Sequence, residues 1–276
     1  MFTQDKKTAL VTGASSGMGK VIARRLIQDG YQVYAAARSV EKMNDLAQLG
    51  ARALRMDISR DEDILAAVDT IVSQTGGVDV LVNNAGFGLY GPVEEIGIDE
   101  ARYQFEVNVF GAARLTQLLL PAMRARRHGY IINITSIGGK IYTPLGAWYH
   151  ATKHALEGWS DCLRLEVAEY GIKVVIVEPG LIETGFGEVV SGSIVKRSAS
   201  GPYGHLVGKV ANSVKNAYGN DRGSDPKVIA DVVARAVNSP HPRTRYAAGK
   251  YAKMLIRMRV WLGDRLFDRV ILSQTR

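Results

Sequence analysis

Short runs of β-branched and apolar residues alternate along the chain with longer stretches in which apolar positions recur every three or four residues. The short runs fall at 8–12, 32–36, 51–56, 78–82, 130–135 and 173–177, with a last one near Tyr246. They are apolar almost throughout, which predicts strands buried on both faces. Helical patterns begin near Gly17, Val40, Asp61, Asp99, Leu145 and Pro226. Strands alternating with helices predict a doubly wound parallel sheet flanked by helices. No internal repeat or low-complexity linker divides the 276 residues, so one α/β domain is expected.

Two stretches break the rhythm. Residues 185–224 hold eight glycines and show no strong periodicity. Connections of that length commonly serve as lids or binding segments, the alternative being an insertion without a role. In 251–272, Tyr251, Met254, Leu255, Met258 and Trp261 recur at helical spacing opposite Lys253 and Arg257, and Leu266, Phe267, Val270 and Ile271 follow. This predicts a C-terminal helical extension packed on its own domain or on a partner subunit, with weak association to a membrane surface as the alternative.

Composition narrows the class. Apolar residues make up 46% and charged residues 22%, values of a folded globular chain rather than a disordered one. Apolar runs fall short of the ~18 residues that span a bilayer, so no integral membrane span is expected. The stretch MFTQDKKTALVTGASSG is too broken by glycine to read as a secretory leader. The single cysteine, Cys162, excludes an internal disulfide and a cysteine-based metal cluster, which points to a reduced, cytoplasmic protein that needs no metal. Of the net charge of +8, residues 241–276 carry +7, with nine basic residues against two acidic ones. Positive charge confined to one segment does not make a basic groove, and nucleic-acid binding is not expected.

The candidate chemistry starts directly after the first run, where Thr12-Gly13-Ala14-Ser15-Ser16-Gly17-Met18-Gly19 opens a helical pattern. Glycines permit a tight strand-to-helix turn and close approach to a pyrophosphate, and the helix N-terminus supplies unpaired N–H groups. Nineteen residues past Gly19 stands Arg38, and no Asp or Glu occurs between Tyr31 and Val40. An acidic residue there would bind a ribose 2′-hydroxyl and an arginine accommodates a 2′-phosphate, so NADP is expected over NAD. The run 80–82 ends in Asn83-Asn84-Ala85-Gly86, where a ligand crevice would form at a strand's carboxyl end. Asn108 falls on the apolar stripe of Phe105, Val109, Ala112, Leu115 and Leu119, a place where an amide needs partners; a structural and a catalytic role are both open. Ser136 closes the run 130–135, and thirteen residues later Tyr149 and Lys153 stack at i,i+4 on one helix face. An ammonium beside a phenol favours the phenolate and lowers its pKa toward the working range of a general acid/base.

As a set, these motifs resemble the short-chain dehydrogenase/reductases, strongly over residues 6–184 and loosely beyond: Thr12 with Gly13, Gly17 and Gly19; Asn83 to Gly86; Asn108; Ser136; Tyr149 with Lys153; and Pro179-Gly180 with Thr184. VYAAAR, NNAGFGLYGPVEE, FEVNVFGA and EPGLIETGF are most similar to the branch described as 17-beta-hydroxysteroid dehydrogenase-like, which tends to act on ketones and secondary alcohols of hydrophobic molecules. The resemblance implies a Rossmann fold, and a catalytic set of Asn108, Ser136, Tyr149 and Lys153. Tyr149 would exchange the proton of the carbonyl or alcohol oxygen, and Ser136 would hydrogen-bond it. Lys153 would hold the nicotinamide ribose, and Asn108 would support a water that links Lys153 to solvent. Gly13, Ser15, Ser16, Gly17, Met18 and Gly19 would form the phosphate turn. Asp57 would meet the adenine, Asn84, Ala85 and Gly86 the ribose side, and Pro179, Gly180, Ile182 and Thr184 the nicotinamide end. Ser16 departs from the pattern, since NADP-preferring members often carry a basic residue there. This leaves the 2′-phosphate mainly to Arg38.

The expectation is an NADP(H)-dependent oxidoreductase that interconverts a carbonyl and a secondary alcohol on a small, hydrophobic substrate, under the cover of 185–224 with Phe186, Tyr203 and Leu206. A sugar-nucleotide epimerase or dehydratase would need more than the about 50 residues that follow Pro226, and a non-catalytic dinucleotide sensor or scaffold would have lost a catalytic group. In the helical pattern from Leu145, Trp148, Ala155, Trp159 and Cys162 lie on one side and Leu156, Leu163 and Val167 on another. Two apolar sides suggest burial beyond one sheet face, and the family resemblance implies a homodimer or homotetramer.

Overall fold

In a computed structural model, which describes residues 6–198, 200–218 and 223–273, seven parallel strands form one sheet. They are β1 (Thr8–Thr12), β2 (Gln32–Ala37), β3 (Arg52–Arg55), β4 (Val80–Asn83), β5 (Gly129–Ile134), β6 (Ile172–Pro179) and β7 (Arg245–Ala248), in the order 3-2-1-4-5-6-7. The doubly wound architecture is as expected, with strand ends displaced by at most two residues.

Successive strand residues point to opposite faces and build two cores. Val11, Ala35, Val82, Ile132 and Val177 pack under α1 (Gly17–Gln28). Leu10, Ala36, Leu81, Ile131 and Val174 pack on the other face, under α3 (Asp61–Thr75) and Leu115 and Leu119 of α5 (Gly111–Arg126). A short α2 (Asn44–Gln48) follows a 3₁₀ turn at Val40–Met43. The pattern from Asp99 becomes α4 (Ile98–Phe105), a π-helical turn at Glu106–Phe110, and α5. The long helix α6 (Ala147–Glu166) buries Leu156 and Leu163.

The stretch expected to lack periodicity is instead helical: α7 (Phe186–Ser198) and α8 (Gly204–Tyr218). Gly187, Val190, Ile194 and Ser198 are buried from α7, and Val207, Val210 and Ala211 from α8. Small residues do part of the packing, so the repeat is faint when only large apolar side chains are counted. Positions 199 and 219–222 of that stretch lie outside the described residues. After α9 (Lys227–Val237) and β7 comes α10 (Ala252–Ser273), bent where Gly263 takes φ 63° and ψ −178°. Ala252 and Phe267 of α10 are buried against Ile137 and Ile141, so one face of this extension packs on its own domain.

Glu178 of β6 is buried with Glu157 of α6, facing Arg245 and Lys140. Burial and the Glu157 carboxylate outweigh the attraction of Lys140 and Arg245 and push the Glu178 carboxyl up to about 7. A raised carboxyl pKa contributes stability that is fully present below the unfolded value and disappears as pH rises through about 7. Glu178→Gln, which mimics the protonated group, is expected to raise stability by about 2 kcal/mol at pH 8 and little at pH 5, read from thermal melts at both values.

Candidate functional site

The strand order reverses direction at β1, whose neighbours β2 and β4 lead into helices on opposite faces, so a crevice opens at the carboxyl ends. Thr12 and Asn84 fasten its floor. The Thr12 hydroxyl accepts from the backbone N–H of Asn84 and of Ala85, both at 3.0 Å, and the Asn84 amide donates to the Thr12 carbonyl at 2.9 Å. The glycine turn then runs close over Asn84. A Cβ at Gly19 would stand 2.4 Å from the Asn84 Nδ2, and one at Gly13 2.9 Å from it. Gly13 and Gly17 also take positive φ, 66° and 51°. Ser16 makes no capping hydrogen bond, and the first turn of α1 holds no acidic residue.

The crevice has a volume of about 740 Å³. Gly13, Ser15, Ser16, Gly17 and Met18 line one end with Arg38 and Asp57; Asn84, Ala85 and Gly86 line the middle; Ser136, Tyr149, Pro179, Gly180, Ile182 and Thr184 line the other end. Gly19 stands behind the turn as a packing position. Lys42, Ser39, Tyr103 and Thr135 also line the crevice and were not singled out from the sequence. For Lys42 the available signal was a second cation one helical turn after Arg38. The Asp57 carboxylate is already engaged by the Ser59 N–H at 3.0 Å and its hydroxyl at 2.7 Å.

Tyr149 and Lys153 lie on α6 and are both buried. The Lys153 ammonium donates to the Ile134 carbonyl at 3.0 Å and sits 6.0 Å from the centre of the Tyr149 ring. Ser136 lines the crevice beside Tyr149 and accepts from the Gly138 N–H at 2.9 Å. The phenol and the serine hydroxyl thus line one end of the crevice, and the ammonium, which is not part of the lining, is buried near the Tyr149 ring.

One electrostatic expectation is corrected. Burial pushes the Tyr149 phenol up to about 12, and the neighbouring Ser136 hydroxyl opposes this without overcoming it. Desolvation acts on Lys153 as well and brings its ammonium down to about 8 against the pull of Glu157. In the free protein the phenol therefore holds its proton at neutral pH.

Asn108, on the π-helical turn, lies at the back of this cluster. Its Nδ2 donates to the Phe87 carbonyl and to the Thr152 hydroxyl, each at 3.0 Å, and its Oδ1 accepts from the Phe87 N–H at 3.0 Å. These contacts hold the segment after Gly86 against α6. π-Turns recur at functional sites because the extra residue re-aims a side chain into the core.

A second cavity of about 690 Å³ adjoins the first and shares Ser136, Tyr149, Gly180, Phe186 and Tyr218 with it. Its remaining walls are mainly apolar, drawn from the segment around Ile141, from α7 and α8, and from α10. The Phe186 ring lies 5.5 Å from that of Tyr149. Tyr203 and Leu206, expected beside Phe186, line neither cavity; the Tyr203 hydroxyl bonds Glu94 at 2.7 Å. His150, also in this wall, is anchored by the Gly138 carbonyl and the Thr143 N–H, and burial lowers it to about 4, so it stays neutral. Among the described residues no group of three or more His, Cys, Asp or Glu is placed to hold a metal ion.

The family model described as short chain dehydrogenase matches residues 7–192. The chain is 34% identical over 262 residues to a 3-ketodihydrosphingosine reductase of Bacteroides thetaiotaomicron, covering 94% of each protein. It is 32% identical over 272 residues to an NADPH-dependent 3-dehydrocapnine reductase of Ornithobacterium rhinotracheale, covering 95% of each. The solved structure of a short-chain dehydrogenase from Streptomyces avermitilis superimposes with a TM-score of 0.81 at 34% identity, over 99% of this chain and 96% of that one.

Asn108→Ala leaves the Phe87 N–H without its partner and takes one of two partners from the Phe87 carbonyl, which keeps the Gln104 amide, and from the Thr152 hydroxyl, which keeps the Tyr149 carbonyl. It is expected to cost about 2–4 kcal/mol in urea unfolding, with faster amide exchange at Phe87. An unchanged midpoint would show that the π-turn does not anchor this segment.

Proposed function

The chain belongs to the short chain dehydrogenase family, and from that premise we propose an NADP(H)-dependent oxidoreductase that interconverts a carbonyl and a secondary alcohol on an apolar substrate. One observation carries the reading: Tyr149 and Ser136 stand together where a crevice suited to a dinucleotide meets a mainly apolar chamber.

The crevice suits the cofactor. Its glycine turn leaves no room for a side chain, and the N-terminus of α1 is uncapped and free of acidic residues, which favours a pyrophosphate. Arg38 and Lys42 supply two cations at the end of β2, where a 2′-phosphate would rest, and a relative described as NADPH-dependent supports the same choice over NAD. When bound, NADPH supplies the hydride that ends on the carbonyl carbon and leaves as NADP⁺.

The protein's groups do the rest. In the direction of reduction Tyr149, protonated because its site is desolvated, gives its proton to the carbonyl oxygen, and Ser136 donates a hydrogen bond to that oxygen. The Lys153 ammonium offsets the charge left on the phenolate. Asn108 acts at one remove by holding Phe87 and Thr152 in place; the water relay implied by family resemblance adds to that anchoring. The pair α7 and α8 forms the roof over the chamber through Phe186 and Tyr218, and shields the proton transfer from solvent. The half-buried Trp148 and Trp159 and the exposed Leu165 on α6 favour a homo-oligomer, and the single cysteine favours a cytoplasmic protein.

Tyr149→Phe is expected to lower kcat for ketone reduction about 10²–10⁴-fold while NADPH still binds by calorimetry; activity equal to the parent overturns the acid assignment. Arg38→Asp is expected to weaken NADPH relative to NADH by about ten- to a hundredfold in kcat/KM, and full retention of NADPH preference would remove Arg38 from the phosphate contact.

A further inference from the structure

We propose that α10 is an interfacial helix that seats this protein on an anionic lipid surface, and that the apolar chamber beneath it takes a long-chain lipid ketone or alcohol from that surface. The substrate half of this proposal rests on the oxidoreductase reading above; the docking half does not.

The chamber sets the substrate's character. Away from Tyr149 its walls are mainly apolar, with Val190 and Val214 on one side and Leu255, Met258 and Ile271 of α10 on another, and with Ser213, Asn216 and Lys250 among them. A cavity of about 690 Å³ with such a lining suits a hydrocarbon chain, whose reactive carbon would sit at the Tyr149 end.

The lining continues onto the outside of the molecule. Met254, Met258 and Trp261 follow one another at i, i+4 and i+7 and therefore share one helix face. Met254 and Met258 line the chamber, yet Met254 is 48% exposed and Trp261, two turns on, 83% exposed. Val260 at 73% and Leu266 at 48% extend the exposed apolar area. The side of α10 toward the body of the protein is already used, through Ala252 before the bend at Gly263 and Phe267 after it.

Charge identifies the occupant. Lys253, Arg257, Arg265 and Arg269 are exposed around these apolar residues. The two carboxylates of the helix are engaged, Asp264 with Arg259 at 2.6 Å and Asp268 with the Tyr142 hydroxyl at 2.8 Å. A second copy of the chain meeting this face across a twofold axis would set the cations against themselves. Anionic headgroups complement them, while tryptophan and the methionines reach the acyl boundary. Among the described residues no helix is long and apolar enough to cross a membrane, so α10 would lie in the surface plane.

The test is co-sedimentation of the full chain with vesicles of phosphatidylcholine alone or mixed with phosphatidylglycerol. Retention is expected on the mixed vesicles, falling as salt is raised, and at least about tenfold weaker for Trp261→Asp. No retention on mixed vesicles, or equal retention of the variant, overturns the docking. So does sedimentation without lipid in which Trp261→Asp splits a dimer, since the face would then be a subunit contact. For the substrate, Trp261→Asp is expected to lower reduction of a long-chain ketone presented in mixed vesicles at least about tenfold and to leave a short, water-soluble ketone unchanged. Equal rates on the vesicle-borne ketone overturn delivery from the surface. A parent protein that reduces neither ketone refutes the redox reading, whereas vesicle binding, read without turnover, still decides the docking.

Discussion

The bond between the end of β1 and the end of β4 is the constraint from which the rest of the site follows. Thr12 uses its hydroxyl to receive two backbone N–H groups of the neighbouring segment, and Asn84 returns its amide to the Thr12 carbonyl. Beyond these residues the sheet has no more strand pairing to offer, so side chains take over the work of joining two chain segments. They do it in so little space that Gly13 and Gly19 admit no Cβ. The turn is thus fixed from behind, and its open side is backbone. Behind it a buried row of polar groups, Asn83 to Asn133 at 2.9 Å and Asn133 to Ser160 at 2.7 Å, ties β4 and β5 to α6, the helix that carries Tyr149 and Lys153.

Desolvation then sets the character of the proton donor. A phenol and an ammonium placed together in water would each keep its ordinary pKa. In this interior both neutral forms gain, and the two values move apart, the phenol up to about 12 and the ammonium down to about 8. The Lys153 ammonium is held against the Ile134 carbonyl rather than against the phenolic oxygen, so its charge reaches Tyr149 only across the ring. Tyr149 therefore holds its proton at neutral pH.

Much of this was legible in the sequence because it depends on local rules. Fully apolar runs gave the strands, the glycine spacing gave the turn, and the i,i+4 spacing of Tyr149 and Lys153 placed both on one helix face. Three things were not legible, each for a physical reason. The helices α7 and α8 pack in part through Gly187, Ser198 and Ala211, which a hydrophobic pattern does not register. The anchoring role of Asn108 depends on a π-turn, where the ordinary helical count fails by one residue. The direction of the Tyr149 shift depends on how much water is excluded, and that follows from Phe186, Tyr90 and the second cavity, all distant in sequence.

The division of labour between the two cavities has a bearing on synthesis. The crevice draws its lining from residues no later than Tyr218, most of it from strands and turns up to Thr184. The adjoining chamber acquires walls from Lys250 to Ile271. During translation a nascent chain would thus be able to grip nucleotide well before it possesses a finished compartment for the second reactant. A molecule clipped ahead of α10 would keep every residue that lines the crevice and lose one wall of the chamber.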